Sequence, residues 1–348
     1  MIIPENTKAL SIPEGVVIKV MCAGQVIWEV ATKVPKYHGA ITTLSEGRNY
    51  PAVANVGGYA LFAGGYGSTF SNKVDAYNAE LTRTSPNSAL SVARTYPSGA
   101  SVGNYALFAG GMDANFTDKN TVDAYNTSLT RSNPRSSLSR ARTFMAGASV
   151  GSYALFGGGS DVNGSVYNTV NAYNASLTRS NPTTLSAARN YLTGVSTGNY
   201  ALFGGGSGSN AVDAYNASLT RTTPTSLTVA RSALASAMAG IYALFAGGDD
   251  RTTVDAYDAS LTRTTPTALT TGRGNLAGTT LSEFSLFGGG TVGGAGNGEV
   301  TAYDGSLTKN NLQALNTPRG NLNAASIGNY ALFGGGGSSA AVEAYVYS

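Results

Sequence analysis

One histidine, His38, and one cysteine, Cys22, are the whole supply of imidazole and thiol in this chain. A histidine-based metal centre needs several such ligands, so no metal is expected. A Ser-His-Asp triad would have to use His38, which the spacing below puts in a strand segment. A single cysteine forms no intramolecular disulfide. Clustered acids occur at Asp161-Val162-Asn163-Gly164 and at Asp249-Asp250. They offer two or three carboxylates without a full calcium loop and read as solvated turn acids. The GGG stretches suggest phosphate loops, but no helix follows to supply the dipole. No paired carboxylates converge in a glycosidase-like motif. The chain is therefore expected to be no enzyme and to hold no cofactor.

The side chain with the most regular placement is arginine. Arg48, Arg94, Arg142, Arg189, Arg231, Arg273 and Arg319 each stand eleven residues before a phrase like YALFAGG. Two readings are open. The seven guanidinium groups form a basic ring at one mouth of a channel and attract an anion. Alternatively, each uses its five donors on carbonyls of its own or a neighbouring unit. The second is preferred, because a binding site seldom needs seven copies of one residue.

The phrases that carry these arginines recur with a fixed ruler. YALFAGG-like segments begin at Tyr59, Tyr105, Tyr153, Tyr200, Tyr242, Phe284 and Tyr330, and VDAY-like segments follow at Val74, Val122, Val170, Val212, Val254, Val300 and Val342. Seven residues after the first six valines comes the leucine of an LTR-like phrase, from Leu81 to Leu307. A repeat of 42 to 48 residues with four short apolar phrases predicts an all-β, seven-bladed propeller of four-stranded blades. A three-residue turn after Tyr77 would set Tyr77 opposite Leu81 and Asp75 opposite Arg83, with equivalent pairs at Asp123 and Arg131, Asp213 and Arg221, and Asp255 and Arg263. The seventh copy runs out before its fourth strand. Residues near 35–41 lie where that strand should be, so they are expected to complete the last blade and close the ring.

An arginine-led first strand, an apolar second strand ending in Gly-Gly and a third ending in Tyr resemble the kelch repeat over about residues 35–348. The fourth strand departs from it, with Leu where kelch repeats usually carry Trp. The resemblance implies a ring-shaped binding platform, most often an interaction module. Copper oxidases of that architecture use His and Tyr ligands with a cysteine-linked tyrosine, which this chain does not supply.

Residues 1–34 fall outside the repeat. Val16–Met21 and Val26–Val30 alternate as a β-hairpin, with Val17, Val26 and Trp28 as attachment candidates. The phrase IPEGVVIKVMCAGQVIW is similar to short leaders of phage and prophage structural proteins. The N-terminus does not read as a signal peptide, and no apolar run is long enough to span a membrane. Charged residues are only 12% of the chain, the net charge is +3, and the basic residues form no run. Nucleic acid is thus not an expected partner.

One interval of the ruler is free. Between the glycines and the valine lie loops of 8, 10, 10, 5, 5, 9 and 5 residues. Loops one to three are long and adjacent, and they carry Tyr66, Phe70, Phe116 and Tyr167 among Asp113, Asp118, Lys119 and Asp161. Loop five holds Asp249, Asp250 and Arg251. Exposed aromatics in a polar setting suit protein or sugar recognition. The expected function is a non-enzymatic binding or structural propeller displayed on a phage virion. Residues 1–34 would join it to a virion protein, and the loops would contact a host-surface protein or glycan. The alternative is an intracellular bacterial kelch scaffold in the cytoplasm.

Overall fold

The computed structural model describes residues 33–348 together with the strands Lys19–Cys22 and Gln25–Glu29. Seven antiparallel four-stranded sheets follow one another along the chain. Their first strands are Ala52–Val56, Ser98–Val102, Ala146–Val150, Thr193–Ser196, Ala235–Ala239, Ala277–Leu281 and Asn323–Ile327. Each first strand packs against the next, and Asn323–Ile327 returns to Ala52–Val56, so the sheets are the blades of a closed seven-bladed propeller with the first strands around its axis. The inner walls touch closely. A Cβ on Gly99 would sit 2.0 Å from the carbonyl oxygen of Val53 in the preceding blade, which only glycine avoids.

The ring closes as the ruler predicts. Lys36–Ala40 pairs with Val342–Val346 as the fourth strand of blade seven. The register shifts between Tyr37 and Gly39, which leaves His38 in the bulge, its ring 5.1 Å from that of Tyr330. Tyr37 donates to Glu343 at 2.8 Å, where other blades use an arginine.

Alternation along the second strands buries both faces, since Ala60, Leu61, Phe62 and Ala63 are all fully buried. Each blade therefore shares its apolar residues with both neighbours. Phe108 and Tyr125 of blade two, for example, pack into the core of blade one. The third-strand tyrosine then reaches across the gap. Tyr125 donates to Ser88 O at 2.8 Å, and Tyr77, Tyr173, Tyr215, Tyr257, Tyr303 and Tyr345 make the same kind of bond to the preceding linker.

The seven arginines lie inside the blades, not at the channel mouth. Arg48 is fully buried just before the first strand, which starts at Ala52 rather than at the arginine itself. Its Nη2 donates to Phe62 O at 3.1 Å and to Asp75 Oδ2 at 2.7 Å. Asp75 also accepts from Ser45 and from Arg83. Meanwhile the arginine's own carbonyl is held by the previous blade, because Gly336 N donates to Arg48 O at 2.9 Å. Every blade repeats that bond from its second glycine, for instance Gly65 to Arg94 at 2.9 Å and Gly111 to Arg142 at 3.0 Å. The glycine pair is needed there. Gly64 and Gly65 have φ of +65° and +114°, and Cβ atoms would meet Arg94 O and Asn49 O at 2.8 and 2.6 Å.

Two register details differ from the sequence expectation. The fourth strand starts at Arg83, and Tyr77 pairs with Arg83 rather than Leu81. The turn is longer because Asn78 Oδ1 accepts from Thr82 N at 2.8 Å, which draws Leu81 into it at φ +60°. Leu81 and its equivalents pack instead beside the second-strand tyrosine of the preceding blade, as Leu129 does with Tyr59. The Asp–Arg pairs survive as diagonal contacts, at 3.0 Å for Asp75 and Arg83 and 2.9 Å for Asp123 and Arg131, and lengthen to 3.7 and 3.9 Å in blades four and five.

Blades three and six deviate at the buried acid. In blade six Arg273 turns to Glu299 at 2.8 Å, since Thr301 stands at the acid position. Blade three has Asn171 there, and among the described residues no carboxylate pairs with Arg142. Burial lowers the Arg142 pKa to about 10, whereas in blade two Asp123 opposes the burial effect on Arg94.

Removing one partner of a buried ion pair costs about 3–5 kcal/mol. Asp123→Ala should lower unfolding stability by that amount. Asn171→Asp should raise it by about 1.5–3 kcal/mol, the worth of a hydrogen bond to a charged group. Urea denaturation midpoints of the two variants check both signs.

Burial pushes the third-strand tyrosines well above the ordinary phenol value, with nearby Asp75 adding to the effect at Tyr77. A raised folded pKa leaves stability intact below the unfolded value of about 10 and removes it as pH rises beyond. The melting temperature should therefore be unaffected by these groups at pH 8–9 and fall steeply above about pH 10.

Candidate functional site

The loops after the second strands emerge beside the entries to the first strands. Short bridges tie Asn49 to Tyr66, Thr95 to Met112, Thr143 to Ser160 and Gly274 to Thr291. The variable loops therefore border the end of the channel at which the first strands begin.

At that end the residue two after each arginine turns inward. These residues are Tyr50, Tyr96, Phe144, Tyr191, Ala233, Asn275 and Asn321, and all seven have φ between +51° and +60°. Bulky residues seldom adopt this conformation, which costs of order 1–3 kcal/mol each. Peptide hydrogen bonds across most of the blade junctions hold the rim in it. Tyr191 N donates to Phe144 O, Ala233 N to Tyr191 O, Asn275 N to Ala233 O, Asn321 N to Asn275 O and Tyr50 N to Asn321 O, at 2.8–3.1 Å. The backbone thus bridges five of the seven blade junctions around the rim, and at the other two, from Tyr50 to Tyr96 and from Tyr96 to Phe144, the side-chain rings meet instead.

The side chains split the mouth in two. On one side four aromatic rings form an arc, with centroids 4.3 Å apart for Tyr50 and Tyr96, 4.3 Å for Tyr96 and Phe144, and 4.1 Å for Phe144 and Tyr191, the last pair stacked at 26°. On the other side stand Ala233, Asn275 and Asn321. Together with the next inward residues, Pro51, Pro97, Met145 and the leucines from Leu192 to Leu322, they enclose about 220 Å³. Burial and the neighbouring Tyr50 push the Tyr96 hydroxyl above the usual phenol range, and burial does the same for Tyr191. These groups therefore stay protonated and can both donate and accept. Among the described residues none that lines this cavity is charged. The arrangement can stack a ring and hydrogen-bond polar groups.

A second cavity of about 280 Å³ adjoins the first. It is lined by Tyr66, Phe70, Thr95, Tyr96, Met112 and Phe116. Tyr66 and Phe70 meet edge-on at 5.2 Å, Phe70 and Phe116 at 6.1 Å, and Phe116 is 67% exposed. Tyr96 belongs to both cavities, so one aromatic surface runs from the channel mouth onto the loops of blades one and two.

Of the sequence candidates, Tyr66, Phe70 and Phe116 are thus brought together. Tyr167 is not among them. Its hydroxyl bonds Asp161, and Arg140 lies 4.4 Å over its ring. The loop acids mostly bind their own backbone. Asp113 accepts from Asn115 N and Thr117 N and pairs with Lys119 at 2.5 Å. Asp161 accepts from Asn163 N and Ser165 N, and Asp118 joins loops two and three through Val162 N at 2.7 Å. Asp249 holds Ser232 and Asp250 takes Gly293 N, while Arg251 is exposed. Among the described residues no three His, Cys, Asp or Glu side chains converge as metal ligands. Val17 lies outside the described residues, and Val26 and Trp28 fall on the strand Gln25–Glu29, with Trp28 opposite Val20. Sequence reasoning missed Tyr50, Tyr96, Phe144 and Tyr191. The signal was an aromatic two residues after the arginine in four successive repeats.

No protein-family model matches the chain, and no curated protein matches it.

Ala233 shows the backbone strain apart from any aromatic contact. Glycine removes the left-handed penalty of about 1–2 kcal/mol and adds an entropic cost of about 0.5–1 kcal/mol. Ala233→Gly should therefore leave stability unchanged or raise it, by up to about 1.5 kcal/mol in chemical denaturation; a loss would contradict the strained rim.

Proposed function

We propose that the protein is a non-enzymatic binding propeller of the kelch type, carried on a phage virion as a tail or head appendage. Its loop-bearing end contacts a host-surface protein or glycan, and residues 1–34 attach it to a virion component. The observation that carries the binding part is the continuous aromatic surface from Tyr191 to Phe116, open to solvent at a rim whose backbone is held in a costly conformation. Contiguous aromatics of this kind, exposed at Tyr66, Phe116 and Tyr191 and half-buried between them, favour recognition. The four-stranded blades and the Arg, Gly-Gly and Tyr phrases support the kelch reading. The virion part rests on the similarity of the leader phrase, together with the pairing of Lys19–Cys22 with Gln25–Glu29 as a hairpin.

Two measurements on particles of the parent phage test this. Mass spectrometry of purified particles should find the protein at fixed stoichiometry. Antibody fragments raised against the propeller should slow adsorption to the host at least about tenfold, as expected when an essential contact is blocked. Finding the chain only as a free cytosolic protein would contradict the reading and favour an intracellular scaffold.

A further inference from the structure

The aromatic arc stops short, and its last ring is uncovered. Tyr50, Tyr96 and Phe144 are each followed in the next blade by another aromatic ring at 4.1–4.3 Å. Tyr191 is followed by Ala233, a methyl group where a fifth ring would stand, and Tyr191 is 40% exposed. Beyond the methyl come two amides, Asn275 and Asn321. The Oδ1 of Asn321 is shielded from solvent and has no hydrogen-bond partner. A buried acceptor without a donor carries a cost, which turning the amide to meet a ligand hydroxyl would relieve.

We propose that this gap is a saccharide-binding slot. A neutral pyranose ring stacks on the free face of Tyr191 above Ala233, as the fifth ring of the arc. Its hydroxyls meet Asn321 and the Oδ1 of Asn275, whose Nδ2 donates to Thr291 at 3.3 Å. The cavity of about 220 Å³ is smaller than the roughly 300–1,000 Å³ typical of drug-sized ligands, so it takes a single ring. Absence of charge from the lining selects against an acidic sugar, whose carboxylate would be desolvated without a counter-ion. The paired donors and acceptors of amides and tyrosine hydroxyls suit vicinal hydroxyls better than the face of an apolar peptide. Tyr96 continues into the second cavity at Phe70 and Phe116, so further sugar units of a chain extend that way.

This inference rests on the binding-propeller reading and narrows it to one ligand class and one place. The test uses the full chain against a panel of neutral and acidic oligosaccharides, with saturation-transfer NMR on the neutral members. At least one neutral oligosaccharide should bind, with its terminal ring receiving the strongest transfer. Ala233→Tyr fills the slot with a side chain that three other blades already carry at this position. It should weaken that saccharide at least about tenfold while leaving the melting temperature within a few degrees, and Asn321→Ala should weaken it less. Binding unchanged in Ala233→Tyr, preference for the acidic members, or no saccharide bound at millimolar concentration would each overturn the slot. Host adsorption that persists in any of those cases leaves the wider reading standing. Saccharide binding by a protein absent from particles would do the reverse.

Discussion

The structure depends on a buried guanidinium repeated in every blade. Each arginine faces inward to the second-strand carbonyl of its own blade, and in most blades to a buried acid as well. Its backbone carbonyl is claimed by the Gly-Gly pair of the preceding blade. One residue thus ties three strands of a blade and then ties that blade to the one before. A buried ion pair is by itself weak evidence for stability, because desolvation offsets much of the attraction. Its value here is geometric. The planar fork fixes where the chain must enter the first strand, and the same entry geometry is imposed seven times.

That fixed entry is what permits the strained rim. Two residues past each arginine the chain takes a left-handed conformation that most of these side chains disfavour, and peptide hydrogen bonds across five of the seven blade junctions stabilise it. The conformation aims side chains at the channel axis. The backbone conformation is the same in all seven blades whatever the side chain, and four aromatics share the rim with an alanine and two asparagines. Scaffold and site are therefore separated by two residues, with invariant spacing below and variable chemistry above.

Strand phrases, blade number and the closing strand near Lys36 were legible because each depends on spacing that register enforces. The arginine-to-carbonyl bonds are the preferred reading of the sequence and are found in every blade, but the pairing of the arginines with a buried acid was not legible. A phrase with one cation per repeat looks the same whether the cation points to solvent or to the core, and only the aspartate one strand away distinguishes the two. The fourth-strand register departs from the sequence expectation at Leu81, since a leucine rarely sits in a left-handed turn and its apolar side chain suggests a strand. The rim aromatics escaped because Tyr50, Tyr96, Phe144 and Tyr191 stand 46–48 residues apart and form no local pattern. They emerge only when repeats are aligned on the arginine. The loop aromatics were easier to find, as Tyr66 and Phe70 lie close together in a polar segment, although Tyr167 in a similar setting is engaged by Asp161 and Arg140.

The most direct test of the buried arginine framework is chemical access to the guanidinium groups of the native protein. A dicarbonyl reagent specific for arginine, followed by peptide mass spectrometry, should modify the exposed Arg135, Arg140 and Arg251 and leave Arg48, Arg94, Arg142, Arg189, Arg231, Arg273 and Arg319 unmodified until the protein unfolds. Modification of those seven at the rate of Arg251 in the folded state would place them at the surface and contradict the framework.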